Sequence, residues 1–264
     1  NFLMYMKSSP KQKIIEALKD QQAIFGDDLF EEKTNLTKSK TAAPAKEITT
    51  RESLRRTTVV KEPITKPLSS KIAVKGDWEK SETLDDLNSL ICNCTKCVLH
   101  KGRNKFVFGS GNPNADVMVI GEGPGAEEDK QGLPFVGRAG QLLTDILKAI
   151  KFSRDEVFIG NIVKCRPPDN RTPLPEEMDT CIPYLAKQIE LIKPKLILCL
   201  GLTAAKGLLK KKDSLTSLRG QVFEYEGIKT MVTFHPAALL RNPNWKKDCW
   251  VDVQKFRKLY DEMS

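Results

Sequence analysis

The chain has 264 residues, 40% of them hydrophobic, enough for a sizeable core in one full domain with an extension or in two small domains. Lys and Arg number 43 against 34 Asp and Glu, and the net charge of +9 favours polyanionic partners such as nucleic acid. No apolar run approaches the roughly 20 residues of a transmembrane helix, and the apolar part of NFLMYMKSSPKQK is too short for a secretory signal, so a cytoplasmic protein without membrane association is expected.

In chain order, KQKIIEALKDQQAIF (11–25) predicts a short amphipathic helix within an N-terminal segment 1–30. Over 31–80 Lys, Thr, Ser, Pro and Ala dominate. Such a composition buries too little apolar area to offset its ordering entropy, and a disordered basic linker is expected. From 81 to 264 helix and strand patterns alternate. Strands are predicted at Val117–Ile120, Val157–Ile162, Leu196–Leu200, Gln221–Tyr225 and Thr230–Phe234, and helices at Leu84–Ile91, Ala139–Ile150, Glu176–Ile192, Ala204–Leu209 and Asp248–Glu262. Continuous apolar strands such as LILCL are covered on both faces. The expected fold is therefore a three-layer α/β/α sandwich around a mainly parallel sheet.

The seven cysteines come without an export signal, which argues for ligation over a disulfide framework. Cys94-Thr-Lys-Cys97 places two chelating thiols on one turn, and Cys165 and Cys181 could complete four. Four thiolates suit zinc and an iron–sulfur cluster alike; two ordinary buried thiols at Cys165 and Cys181 are the plain alternative. Cys92 competes with Cys94 as a ligand, while Cys199 and Cys249 read as packing residues.

The stretch GEGPGAEEDKQGLPFVGRAG (121–140) follows the strand ADVMVI. It is a poor phosphate cradle, because its glycine spacing departs from G-x-G-x-x-G and Pro124 lacks an N–H. A turn at the C-terminal end of a parallel strand is still where α/β proteins place sites. There a carboxylate such as Glu122 could orient water or stabilise positive charge, whereas Glu127 reads as a solvated loop residue. Phe135 offers a ring for stacking or a core aromatic. Asn161 at one strand tip offers a donor and an acceptor, and His235, one of two histidines, ends another strand.

Together GEGPGAEED, GLPFVGRAGQLL, NIVKCRPPDNRTPLPEE and HPAALLRNP resemble the family 4 uracil-DNA glycosylases, the iron–sulfur branch of that superfamily, from about Cys94 to the C-terminus. The resemblance implies a repair enzyme that hydrolyses the N-glycosidic bond of uracil in single- or double-stranded DNA, leaving an abasic site. It implies one 4Fe–4S cluster on Cys94, Cys97, Cys165 and Cys181, with a structural role. It places Phe135 against the uracil face, Asn161 on its Watson–Crick edge and His235 at O2, and Gly123 would leave space beside the base. Glu122 would position water or stabilise the sugar cation, with Glu128 and Asp129 assisting or shaping the turn. Leu239 and Leu240 would wedge into the DNA, with anchoring of the loop to the core as the alternative for one of the two, and Arg138, Arg166, Arg171 or Arg241 would meet phosphates. Turnover by hydrolysis is expected, because no histidine lies between Cys165 and Cys181. The expected enzyme is a monomer whose N-terminal tail could attach a replication or repair partner. The main alternative is a noncatalytic nucleic-acid binder with a structural iron–sulfur or zinc site. A CxxC redox protein or a nucleoside hydrolase fits less well.

Overall fold

The computed structural model describes residues 76–263. The predicted helix at 11–25, the linker up to Lys75 and the partner-binding tail lie outside the described residues. Six strands form one sheet: β1 (Ser110–Gly111), β2 (Val117–Gly121), β3 (Phe158–Asn161), β4 (Leu196–Leu200), β5 (Val222–Tyr225) and β6 (Ile228–Thr233), in the order β1-β3-β2-β4-β6-β5. β3, β2, β4 and β6 run parallel, and the two edge strands are antiparallel to their neighbours. The C-terminal ends of β2, β3 and β6 therefore share one edge of the sheet. The residues that follow or close those strands meet there, as the doubly wound arrangement dictates.

Helices α1 (Leu84–Ile91), α2 (Ala126–Gln131), α3 (Arg138–Ala149), α4 (Pro175–Ile192), α5 (Gly201–Leu209), α6 (Leu215–Leu218), α7 (Pro236–Arg241) and α8 (Lys246–Asp261) complete the order. The central strands β2 and β4 are apolar and buried along their whole length because both faces are covered. Val117 and Val119 of β2 and Leu196, Leu198 and Leu200 of β4 join the core under α3 and α8. The alternate residues Met118, Ile120, Ile197 and Cys199 join the core under α1, α4 and α5. This is the expected three-layer sandwich. Among the described residues no helix is long and apolar enough to cross a membrane.

Several boundaries differ from the sequence reading. β3 stops at Asn161, where its ladder with β2 ends opposite Gly121. β6 begins at Ile228 because the hairpin with β5 pairs Tyr225 with Ile228. The acidic stretch, read as a turn, contains α2. Glu127, Glu128 and Asp129 occupy its first turn, where carboxylates complement the helix dipole. The HPAALLR segment, read as a loop, is α7, with His235 as its N-cap.

Candidate active site

A cavity of about 440 Å³ opens at the C-terminal edge of the sheet. Its walls include Glu122, Gly123, Phe135, Asn161, His235 and Arg241, so residues from four distant stretches of sequence meet in one place. Pocket volumes of a few hundred Å³ suit small planar ligands.

Asn161 is the last residue of β3 and is 2% exposed. Among the described residues its Oδ1 is buried without a hydrogen-bond partner. A buried, unpaired acceptor costs roughly 1–3 kcal/mol, so a ligand that donates to it recovers that cost. Phe135 is 7% exposed and holds a left-handed backbone at φ 53°. Its ring lies 5.5 Å from that of His235, tilted by 31°. Two glycines allow this crowding. A Cβ at Gly121 would come within 2.5 Å of Asn161 Oδ1 and 2.6 Å of Phe135 Cζ, and one at Gly140 would overlap the Phe135 carbonyl. Gly123 also lines the cavity, but a Cβ there would press on Val163 Cγ2 at 2.7 Å. A side chain at that position would therefore need Val163 to shift, so packing as well as the cavity bears on Gly123.

His235 Nδ1 accepts the Ala237 N–H at 3.2 Å, so in the neutral ring the proton sits on Nε2. Burial, reinforced by the charge of Arg241, lowers its pKa to about 4. The imidazole is therefore a neutral donor at physiological pH.

The acids of the glycine-rich stretch divide their work. Glu122 lines the cavity. Glu127 is exposed and pairs with Lys130 at 2.9 Å, as the solvated reading has it. Glu128 accepts from Gly125 N–H at 3.1 Å, Val136 N–H at 2.9 Å and Gly137 N–H at 3.0 Å, so it clamps the start of α2 to the Phe135 loop. Asp129 is buried and accepts from the Asn104 backbone N–H at 2.9 Å and from its side-chain amide. Both shape the turn, and Glu122 shares the cavity wall with Glu128.

Leu239 and Leu240 part company. α7 turns about 100° per residue, which sends Leu239 wholly into the core and leaves Leu240 45% exposed. The expectation that Leu239 contacts DNA is corrected: a side chain with no exposed surface cannot act as a wedge. Arg241 is exposed at the end of the same helix. Of the other candidate phosphate contacts, Arg171 is held by both oxygens of buried Glu177 at 2.8 and 2.7 Å, and Arg166 is bonded to Asn170 Oδ1 at 2.8 Å. Asn170 and Thr172, which the sequence places in the NRTPLPEE stretch expected to form a DNA-facing loop but does not single out, also line the cavity. The left-handed Asp169-Asn170 pair that turns this loop was the available signal, since these residues tolerate positive φ.

On the other face of the sheet the four candidate cysteines are neighbours. Burial first, and then the adjacent thiols, raise the pKa values: Cys94 acts on Cys97, Cys97 and Cys94 on Cys165, and Cys165 and Cys97 on Cys181, which is pushed up to about 12. Donors already point at the sulfurs. Arg103 Nη1 lies 3.2 Å from Cys165 Sγ, Tyr184 Oη 3.3 Å from Cys94 Sγ and the Lys164 N–H 3.4 Å from Cys181 Sγ. Cys92 instead directs its thiol at the Ser89 carbonyl, 3.6 Å away, which separates it from this group. Cys199 and Cys249 are core residues. Among the described residues no three His, Cys, Asp or Glu side chains close on a single-ion site.

The profile of the uracil DNA glycosylase superfamily matches residues 108–256. A type-4 uracil-DNA glycosylase of Pyrobaculum aerophilum is 45% identical over 183 residues, which span 66% of this chain and 92% of that protein. One from Archaeoglobus fulgidus is 41% identical over 67% of this chain and 94% of its own length. One from Thermotoga maritima is 46% identical over 62% of this chain and 87% of its own length.

Proposed function

The chain belongs to the uracil-DNA glycosylase superfamily, in its type-4 branch, and we propose that the cavity receives a uracil flipped out of DNA and positions it for hydrolysis of its N-glycosidic bond. The protein is a uracil-DNA glycosylase, an enzyme of DNA repair. A base stacked in a duplex is out of reach of side chains at the bottom of a pocket, so it must leave the stack first.

The observation that carries the reading is the orphaned Oδ1 of Asn161, a residue that lines the cavity together with Phe135 and His235. Uracil presents N3–H beside O4. Asn161 would accept from the first and donate to the second. Cytosine presents an acceptor at N3 and an amino group at C4, so the same amide would be mismatched twice, at roughly 1–3 kcal/mol for each buried group left unpaired. Phe135 would support the ring face.

As the bond between the sugar C1′ and uracil N1 breaks, negative charge collects on the base. Nε2–H of neutral His235 would donate to O2, a pre-set hydrogen bond to the developing anion. Glu122 would stabilise the positive sugar and orient the water that adds to C1′. The proton that the water gives up on adding to C1′ would neutralise the departing uracil anion, so the products would be free uracil and an abasic site. Leu240 would fill the gap left by the base, and Arg241 would meet a neighbouring phosphate.

Cys94, Cys97, Cys165 and Cys181 would hold one 4Fe–4S cluster. The donor set fits: the four thiols are neighbours, and cationic and neutral donors already face three of them. When bound, the cluster would tie the segment before β1 to α4 and to the loop after Asn161; hydrolysis asks no electron of it.

The reading is tested by incubating the iron-loaded protein with uracil and thymine oligonucleotides, single- and double-stranded, and revealing abasic sites with alkali. Cleavage at uracil alone is expected, with Asn161→Ala lowering kcat/KM by about 10- to 100-fold, the worth of one to two well-made buried hydrogen bonds. Equal rates for Asn161→Ala and wild type would overturn the assigned role of Asn161.

A further inference from the structure

Lys164 has no exposed surface and is among the largest fully buried side chains of the protein. A buried ammonium is expensive unless its protons are all engaged, and no carboxylate pairs with it among the described residues. Its Nζ donates instead to the Asn161 carbonyl at 3.0 Å and to Gln188 Oε1 at 2.6 Å. Gln188, also fully buried, donates onward from Nε2 to the Phe108 carbonyl at 3.0 Å. The Lys164 main chain is fixed as well: its N–H reaches Cys181 Sγ at 3.4 Å and its carbonyl accepts the Val107 N–H at 3.0 Å.

Asn161 closes β3, and main-chain bonds run on past it: Ile162 N–H donates to the Gly121 carbonyl at 3.0 Å and Val163 N–H to the Glu122 carbonyl at 3.2 Å. The Asn161 carbonyl, on the opposite side of the same peptide unit as the Ile162 N–H, is bonded by the lysine ammonium, three residues further along the chain. The peptide that follows Asn161 is thus held from both sides, by β2 and by a charged donor anchored next to the cysteines. A methionine could fill the same space, but it would leave the Asn161 carbonyl and Gln188 Oε1 without a donor.

We propose that Lys164 is a positioning residue for uracil recognition: its ammonium, braced by Gln188 and by main-chain contacts beside Cys181, fixes the Asn161 backbone so that the side-chain amide meets the base edge. This rests on the reading of Asn161 as the residue that recognises uracil. It adds to that reading a residue that touches neither DNA nor base.

The test uses the full-length, iron-loaded protein and two DNA probes of one sequence, one with a non-hydrolysable uridine analogue at the target position and one with an abasic site. The ratio of the two affinities isolates what the base contacts contribute, without turnover. In Lys164→Met the preference for the uridine probe is expected to fall about tenfold, the effect of loosening one buried charge-assisted hydrogen bond. Affinity for the abasic probe and the visible absorbance of the cluster should stay at wild-type values. Gln188→Met, which removes a brace and keeps the ammonium, should lower the same preference by about threefold, and it stands in if Lys164→Met does not fold. Loss of both affinities in parallel would assign Lys164 a merely structural role and overturn the inference. Asn161→Ala separates the two ideas. If it lowers the preference while Lys164→Met and Gln188→Met do not, the positioning role fails and the recognition role stands. If it changes nothing, the recognition role fails and the positioning role with it.

Discussion

At His235 the hydrogen bond from Ala237 N–H to Nδ1 does two things: it caps α7 and it fixes the tautomer. Protonation would turn Nδ1 into a donor facing another donor, so the charged ring loses the cap as well as its hydration. The pKa lowered to about 4 gives a definite pH dependence. Between about 6.5 and 4 the unfolded chain binds a proton at this residue that the native protein does not, so this contribution to stability falls as pH drops through that window and levels off below it. The step in kcat that reports His235 is expected near pH 4 and well below the usual histidine range. Arg241 is the second cause of the lowered value, so Arg241→Ala should move that step upward. A pH–rate profile measured under single-turnover conditions checks both, and a wild-type step near pH 6.5 would contradict the buried, neutral ring.

Among the elements, α2 and the loop before α3 make up the wall that carries Phe135. Glu128 joins them with three backbone N–H bonds to a single carboxylate. Arg154 adds a guanidinium bond to the Pro134 carbonyl on the other side of the loop. Charge-assisted bonds of this kind are each worth somewhat more than a neutral one. Glu128→Ala leaves three N–H groups without their acceptor. We expect a loss of about 2–3 kcal/mol, read as a Tm lower by roughly 5–10 °C, together with weaker base release because the Phe135 ring is no longer fixed. Calorimetry and the uracil-release rate check the two halves separately. A variant with wild-type Tm would show that the loop is held by its apolar contacts alone.

For the whole molecule, charge and the cysteine site matter most. With a net charge of +9, affinity for DNA should fall steeply as salt rises. Arg241 is exposed at the mouth of the cavity, whereas Arg171 is committed to Glu177 and Arg166 to Asn170. Arg241→Ala is therefore expected to reduce the slope of log K against log salt by about one, and Arg166→Ala by less, in binding to abasic-site DNA followed by fluorescence anisotropy. The cysteines act at the same scale, because Cys94 and Cys97 precede the sheet while Cys165 and Cys181 follow β3 and lie in α4. A group bound there joins parts of the chain that local structure does not bring together.

The sequence by itself determined the alternation of elements, the parallel core strands and the strand tips near Gly121 and Asn161, because apolar periodicity is local and parallel strands place their C-terminal ends along one edge; His235, read as ending a strand, lies two residues beyond β6 and caps α7. The sequence also picked out the four cysteines and the family's motifs. Only the tertiary structure decided which acids line the cavity, which of Leu239 and Leu240 reaches solvent, why Gly121 and Gly140 lack a side chain, and that the Lys164 ammonium bonds the Asn161 carbonyl. Each of these depends on contacts between residues distant in the chain or on the angle at which a short helix meets the core. Glu127, Glu128 and Asp129 are consecutive acids alike in composition, yet one meets water, one three backbone amides and one Asn104. Their roles diverge because successive helix positions point about 100° apart, toward different neighbours that only folding supplies.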